Sequence, residues 1–193
     1  MIKYYLFNSP LEIEKKRFLD ALNSLGTKIE EIVFLNEKSG YLVADVSLVD
    51  HLETLLPVIT SDTGHFFLFL VSHDYSDLTK LAFKKAKEKR ILNLIHLSDL
   101  FFKLALENDY SLIKLAQRKF AEIPMYLLMT ADAFISSGLN GINAAKKLYI
   151  HRNTFLYRIN QFIELTKLDI RDYYNAQYYS LIRKLSVFIE GQQ

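Results

Sequence analysis

The chain has no cysteine, only six glycines and three prolines, and a net charge of just +2 across 193 residues. Each scarcity removes a class of protein. Without cysteine there is no disulfide framework, no thiolate metal site and no cysteine nucleophile, a composition compatible with a reducing cytoplasm. The glycines never fall as GxGxxG or GxxxxGK, so no phosphate-cradling loop is legible. The longest apolar run, Phe66 to Val71, is far short of the roughly 20 residues that span a bilayer. It reads as a strand buried on both faces. The N-terminus, MIKYYLFNSPLEIEKKRFLD, lacks the uncharged apolar core and small-residue cleavage site of a signal peptide, so a cytoplasmic protein without membrane contact is expected. A charge of +2 is too mild to imply a polyanionic partner, and any basic signal must come from local clustering.

What is present is apolar: half of the residues, ample for a core. Residues 2–8 have strand composition. Ser9-Pro10-Leu11-Glu12 has capping-box spacing with proline in the first helical position, which predicts a helix start there. Phe18, Leu19, Leu22 and Leu25 carry that helix to a stop at Gly26. Residues 28–35 and 41–46 read as strands joined by the turn-rich NEKSG, hence an antiparallel hairpin. A second helix opens at Ser47 and ends near Pro57, and a strand at 66–72 closes the unit. The order strand, helix, strand, strand, helix, strand matches a ferredoxin-like unit. From Ser76 onward the pattern is wholly helical, with segments at 77–89, 98–107, 111–122, 125–136, 142–148, 152–166 and 173–189. The expected organisation is α+β, with a module at 1–74, a helical connector at 75–123 and a helical domain at 124–193.

Catalytic and metal-binding patterns are thin. His51, His65, His73, His96 and His151 form no HxxxH pair. Ser61, Asp62 and His65 lie within TSDTGH, but a triad is assembled by a fold rather than by adjacency, and a polar loop is the better reading. No metal, no cofactor and no enzymatic activity are expected. The basic run Lys80 to Arg90 reads as a solvated helix face whose stems cover apolar surface.

The informative stretch is Gly141 to Arg171. It holds six basic residues against two acidic ones, so the chain's basic excess is concentrated there. Ala144, Ala145, Leu148 and Ile150 form the apolar side of a short helix and turn. Phe155, Ile159 and Phe162 or Ile163 continue at helical spacing on a longer one. Small alanines let the second helix cross closely over the first, as a helix-turn-helix requires. This leaves His151, Arg152, Asn153, Thr154, Tyr157, Arg158 and Gln161 outside on the second helix, and Lys146 and Lys147 on the first. Arginine can read guanine and asparagine adenine, hydroxyls can hold phosphates, and lysines supply sequence-independent attraction. From spacing alone, a DNA reader and an ordinary capped helical hairpin stand level.

A resemblance separates them. Ala144-Ala145, Leu148, Ile150-His151-Arg152-Asn153-Thr154, Tyr157-Arg158-Ile159 and Thr166-Lys167-Leu168-Asp169-Ile170-Arg171-Asp172 resemble the C-terminal helix-turn-helix of the PucR/CdaR family of bacterial transcriptional regulators. Tyr126 to Asn140 is similar to the helix that opens that domain. Lys167 departs from the glycine usual after the threonine, so that helix end needs another cap. The resemblance implies a regulator that binds double-stranded DNA through a helix-turn-helix at about 141–166. Arg152, Asn153, Thr154 and Tyr157 would make base or groove contacts; His151, Arg158, Lys146 and Lys147 would contact phosphate or position the helix. It also implies a homodimer, since one helix-turn-helix covers one half-site, and an effector of unknown identity. Tyr173, Tyr174, Tyr178 and Tyr179 are candidates for that interface or for core. The N-terminal unit is similar to the degenerate GGDEF-like palm that often precedes this domain, though NEKSG lacks the acidic metal-binding motif of a cyclic-dinucleotide synthase. The alternative is an interaction module that has kept the fold without DNA binding.

Overall fold

The computed structural model describes residues 1–63 and 66–190, which divide into two compact units, Met1–Leu100 and Phe101 onward. His65 and the end of TSDTGH lie outside the described residues.

The first unit contains β1 (Ile2–Asn8), α1 (Lys15–Ser24), β2 (Ile29–Phe34), β3 (Ser39–Asp45), α2 (Leu48–Thr63), β4 (Leu68–Ser72), α3 (Asp77–Glu88) and β5 (Asn93–His96). The strands form one sheet in the order β2-β3-β1-β4-β5. The first four pair antiparallel, with Tyr5 opposite Leu42 and Val71, as in a ferredoxin-like unit. Strand alternation sends Tyr5, Phe7, Leu42, Ala44, Phe69 and Val71 to one face, where Leu22 of α1 and Leu48, Leu52 and Leu56 of α2 cover them. Phe7 is the centre of this core, 4.9 Å from the Phe18 ring and 5.6 Å from Phe34. A side-chain carbon on Gly40 would meet Phe7 Cζ at 2.6 Å, so only glycine lets the ring lie across β3.

Three sequence expectations change. The region after Ser76 is not wholly helical: β5 adds to the sheet, parallel to β4, and carries the first unit beyond residue 74 to Leu100. Four residues between two helices are too few to display strand alternation, and the pairing with β4 is a tertiary choice. The helix expected at Ser9 begins instead at Lys15, after a cap residue, Glu14, that makes no side-chain cap bond. Ser9 Oγ accepts from the Leu11 amide, while the Ser9 and Ile13 amides donate to Lys38 and Glu37 carbonyls of the β2–β3 turn. The stretch is spent on tying that turn down. Finally, α2 continues through Pro57 to Thr63.

The basic run on α3 is largely answered within the helix. Lys80 pairs with Asp77 at 3.1 Å, Lys84 with Glu88 at 3.9 Å, and Lys87 lies over the Phe83 ring.

α4 (Leu97–Leu106) runs across the division between the units. The second unit is helical: α5 (Ser111–Ala121), α6 (Met125–Ser136), α7 (Gly141–Lys147), α8 (Arg152–Thr166) and α9 (Tyr173–Glu190). α6 packs on α7, α8 and α9, and α5 packs on α9. Phe120, Phe162 and Tyr179 form the centre, with Tyr179 5.2 Å from Phe120 and 5.3 Å from Phe162 in edge-on contacts. Tyr178 and Tyr179 are therefore core. Tyr173 stays exposed and Tyr174 half-buried. The buried Tyr179 hydroxyl donates to the Leu128 carbonyl, and burial pushes its pKa well above the usual range.

Candidate nucleic-acid interface

α7 begins at Asn140, whose Oδ1 accepts from the Ile142 and Asn143 amides, both at 3.0 Å. Ala144 and Ala145 are buried against α6 and α8. Their size is what lets α8 approach so closely. α7 ends in a left-handed turn at Tyr149, with φ of 55°, while the Tyr149 and Ile150 amides return to Lys146 and Ala145 carbonyls. Tyr149 itself is 97% exposed, an aromatic side chain with no packing role in the turn.

α8 starts at the IHRNT motif. His151 is its N-cap: Nδ1 accepts from the Asn153 amide at 3.2 Å, which fixes that nitrogen as the unprotonated one. Phe155, Ile159, Phe162 and Thr166 form the buried side of α8. Arg152, Asn153, Thr154, Leu156, Tyr157 and Asn160 are exposed to solvent, and the first turn carries no acidic residue. Cation, amide and hydroxyl groups thus stand together at the positive end of a helix dipole, a chemistry suited to phosphate and base edges.

The eight residues singled out from sequence fall into two groups. Lys146, Arg152, Asn153, Thr154 and Tyr157 are exposed around the α7 end and the α8 start. Lys147, His151 and Arg158 make bonds within the domain. Lys147 Nζ donates to Ser136 Oγ at 2.8 Å, joining α7 to α6. Arg158 is half-buried, its guanidinium 5.3 Å from the centre of the Tyr126 ring. Tyr126 also donates to Gln161 Oε1 at 3.3 Å, and Gln161 Nε2 donates to the Tyr157 hydroxyl at 3.0 Å. This relay orients Tyr157 from α6. Tyr126 and Asn160 were not among the sequence candidates. Asn160 had a legible signal, lying seven residues after Asn153 on the same face. Tyr126 had none, because its contact is tertiary.

The far end of α8 resolves the glycine departure. Lys167 adopts the left-handed conformation itself, with φ of 58° and ψ of 18°, and its amide donates to the Ile163 carbonyl. Thr166 Oγ1 accepts from the Leu168 amide at 3.2 Å, supplying the other cap. Arg171 then closes on Asp169 through two parallel bonds of 2.8 and 2.6 Å.

Residues 127–181 match the PucR C-terminal helix-turn-helix domain family. The chain is similar to the uncharacterized protein YxkF of Bacillus subtilis (strain 168), 28% identical over 193 residues, covering 91% of this chain and 64% of that protein. It is also similar to the proline-responsive transcriptional activator PutR of the same organism, 34% identical over 68 residues, or 35% of this chain and 16% of PutR. Among solved structures, a regulator of polyketide synthase expression from Bifidobacterium adolescentis aligns over 97% of this chain and 80% of that one, with 15% identity and a TM-score of 0.48. The chain thus spans less than two thirds of the length of either Bacillus relative.

Proposed function

Because residues 127–181 match the PucR C-terminal helix-turn-helix domain family, we propose that this chain is a transcriptional regulator that binds double-stranded DNA with α8 in the major groove. The observation that carries the reading is the face of α8: Arg152, Asn153, Thr154 and Tyr157 stand exposed together, while every apolar residue facing α6 and α7 is spent on packing. A merely structural hairpin has no need of four such groups exposed within the first two turns of one helix.

The roles follow from the contacts. Arg152 and Asn153 read base edges, as arginine and asparagine do through paired donors and acceptors. Thr154 and Tyr157 hold phosphate oxygens, with Tyr157 oriented by Gln161. Lys146 supplies sequence-independent attraction. Lys147, His151 and Arg158 position the two helices rather than touch bases. One helix-turn-helix covers one half-site, so two copies of the chain act on half-sites about 34–36 Å apart or a multiple of that. The protein works in the cytoplasm; among the described residues no helix is long and apolar enough to cross a membrane. We read the sheet unit as a degenerate palm that senses an effector or holds the helical unit.

The test is a fluorescence-anisotropy titration of a duplex enriched from a random pool, beside a scrambled duplex, across a salt series. The reading expects tighter binding to the enriched duplex, with affinity falling linearly in log–log form as salt rises. Equal, weak binding to both at low salt sinks it.

A further inference from the structure

The turn between α7 and α8 holds an aromatic side chain that the domain does not use. Tyr149 is 97% exposed, more than any other large apolar or aromatic side chain among the described residues. Its backbone is left-handed, with φ of 55°, a conformation that disfavours a bulky side chain and that glycine or asparagine adopts readily. The turn asks only for backbone groups: the Tyr149 amide donates to the Lys146 carbonyl and the Ile150 amide to the Ala145 carbonyl, both at 3.1 Å. Neither bond needs a phenol. Tyrosine here exposes a ring and strains the chain without packing against the domain.

The neighbours of the ring carry one sign of charge. From Gly141 to Arg158 there are four basic side chains, Lys146, Lys147, Arg152 and Arg158, and no aspartate or glutamate. Lys146 and Arg152, three residues to either side of Tyr149, are both exposed. A side chain so flanked is set toward a polyanion. Three residues of chain reach at most about 11 Å, which exceeds the roughly 8.5 Å depth of a major groove. With Arg152 at the base edges, Tyr149 therefore reaches the rim, where the phosphates are.

We propose that Tyr149 is a further DNA contact: its hydroxyl donates to one backbone phosphate at the groove rim, and its ring covers the adjoining sugar. The contact sets how α8 enters the groove and carries no sequence information of its own. It differs in kind from Lys146, because a neutral phenol neutralises no phosphate and releases no counterion.

This inference rests on the regulator reading, and its failure is separable from that reading's. The test uses the full chain with the enriched and scrambled duplexes across the salt series. Tyr149→Phe should bind both about ten-fold more weakly, the usual worth of a hydrogen bond to a charged acceptor. Its salt slope should stay that of the wild type. Tyr149→Asn should lose at least as much affinity yet unfold at a higher temperature, because asparagine tolerates the left-handed turn. Affinity and stability then move in opposite directions, which a residue that merely builds the turn cannot produce. Phosphates of the enriched duplex replaced one at a time by methylphosphonate should reveal one position per half-site where the loss seen with the wild type shrinks in Tyr149→Phe. Unchanged affinity in both variants, or equal losses at every phosphate for wild type and Tyr149→Phe, overturns the contact and leaves the regulator reading standing. So does a lower unfolding temperature in Tyr149→Asn, since the ring then serves the fold. A wild type that binds neither duplex removes the regulator reading, and this contact with it.

Discussion

Phe155 of α8 presses its ring against the backbone of Gly141 at the start of α7, so closely that a side-chain carbon there would sit 2.8 Å from Phe155 Cε1. Phe155 is itself buried and held 5.6 Å from the Phe134 ring, so it has nowhere to retreat. Gly141→Ala should therefore destabilise the helical unit by about 1–3 kcal/mol, the usual cost of overpacking a tight core. Chemical denaturation read by far-ultraviolet circular dichroism checks this. An unchanged midpoint would mean that the two helices are not in such close contact.

The cap at His151 makes a second expectation. Removing the acceptor in His151→Ala should cost about 0.5–2 kcal/mol of stability, while His151→Asn, which keeps a side-chain acceptor, should cost much less. Equal losses in thermal unfolding would show that the imidazole serves something other than the Asn153 amide.

At the far end of α8 the sign reverses. Lys167 holds a left-handed backbone at φ of 58°, which a side chain penalises and glycine does not. Lys167→Gly should stabilise the unit by about 0.5–1 kcal/mol, glycine's larger unfolded-state entropy offsetting part of the relieved strain. Loss of stability would show that the Lys167 side chain contributes contacts outweighing that strain.

The proposed roles of the exposed face separate base from phosphate contacts. Arg152→Ala should cost about 1–3 kcal/mol on the preferred duplex and relax selectivity at one base position. Lys146→Ala should weaken binding evenly across sequences and reduce the salt slope by about one. Anisotropy titrations of both variants on matched and scrambled duplexes decide it; identical profiles for the two would contradict the assignment.

Much of this arrangement was legible in the residues themselves, and for identifiable reasons. Helices over 125–136 and 152–166 begin and end where the sequence predicts, because their apolar residues recur at helical spacing. The antiparallel strands follow from alternation and a short turn. What escaped depends on partners distant in sequence. β5 is a strand because β4 lies beside it. Ser9 fails to open a helix because the β2–β3 turn claims its amide. Within the candidate interface, Arg158 looks as free as Arg152 in the sequence, but Tyr126, on another helix, takes its guanidinium.

The most direct test of the central claim is an amide chemical-shift titration of the isotope-labelled chain with its preferred duplex. The account predicts the largest shifts at Lys146 and Arg152 to Tyr157, with the Phe120–Phe162–Tyr179 core and the five-stranded sheet little changed. Shifts concentrated away from α7 and α8, or none at saturating duplex, would contradict it.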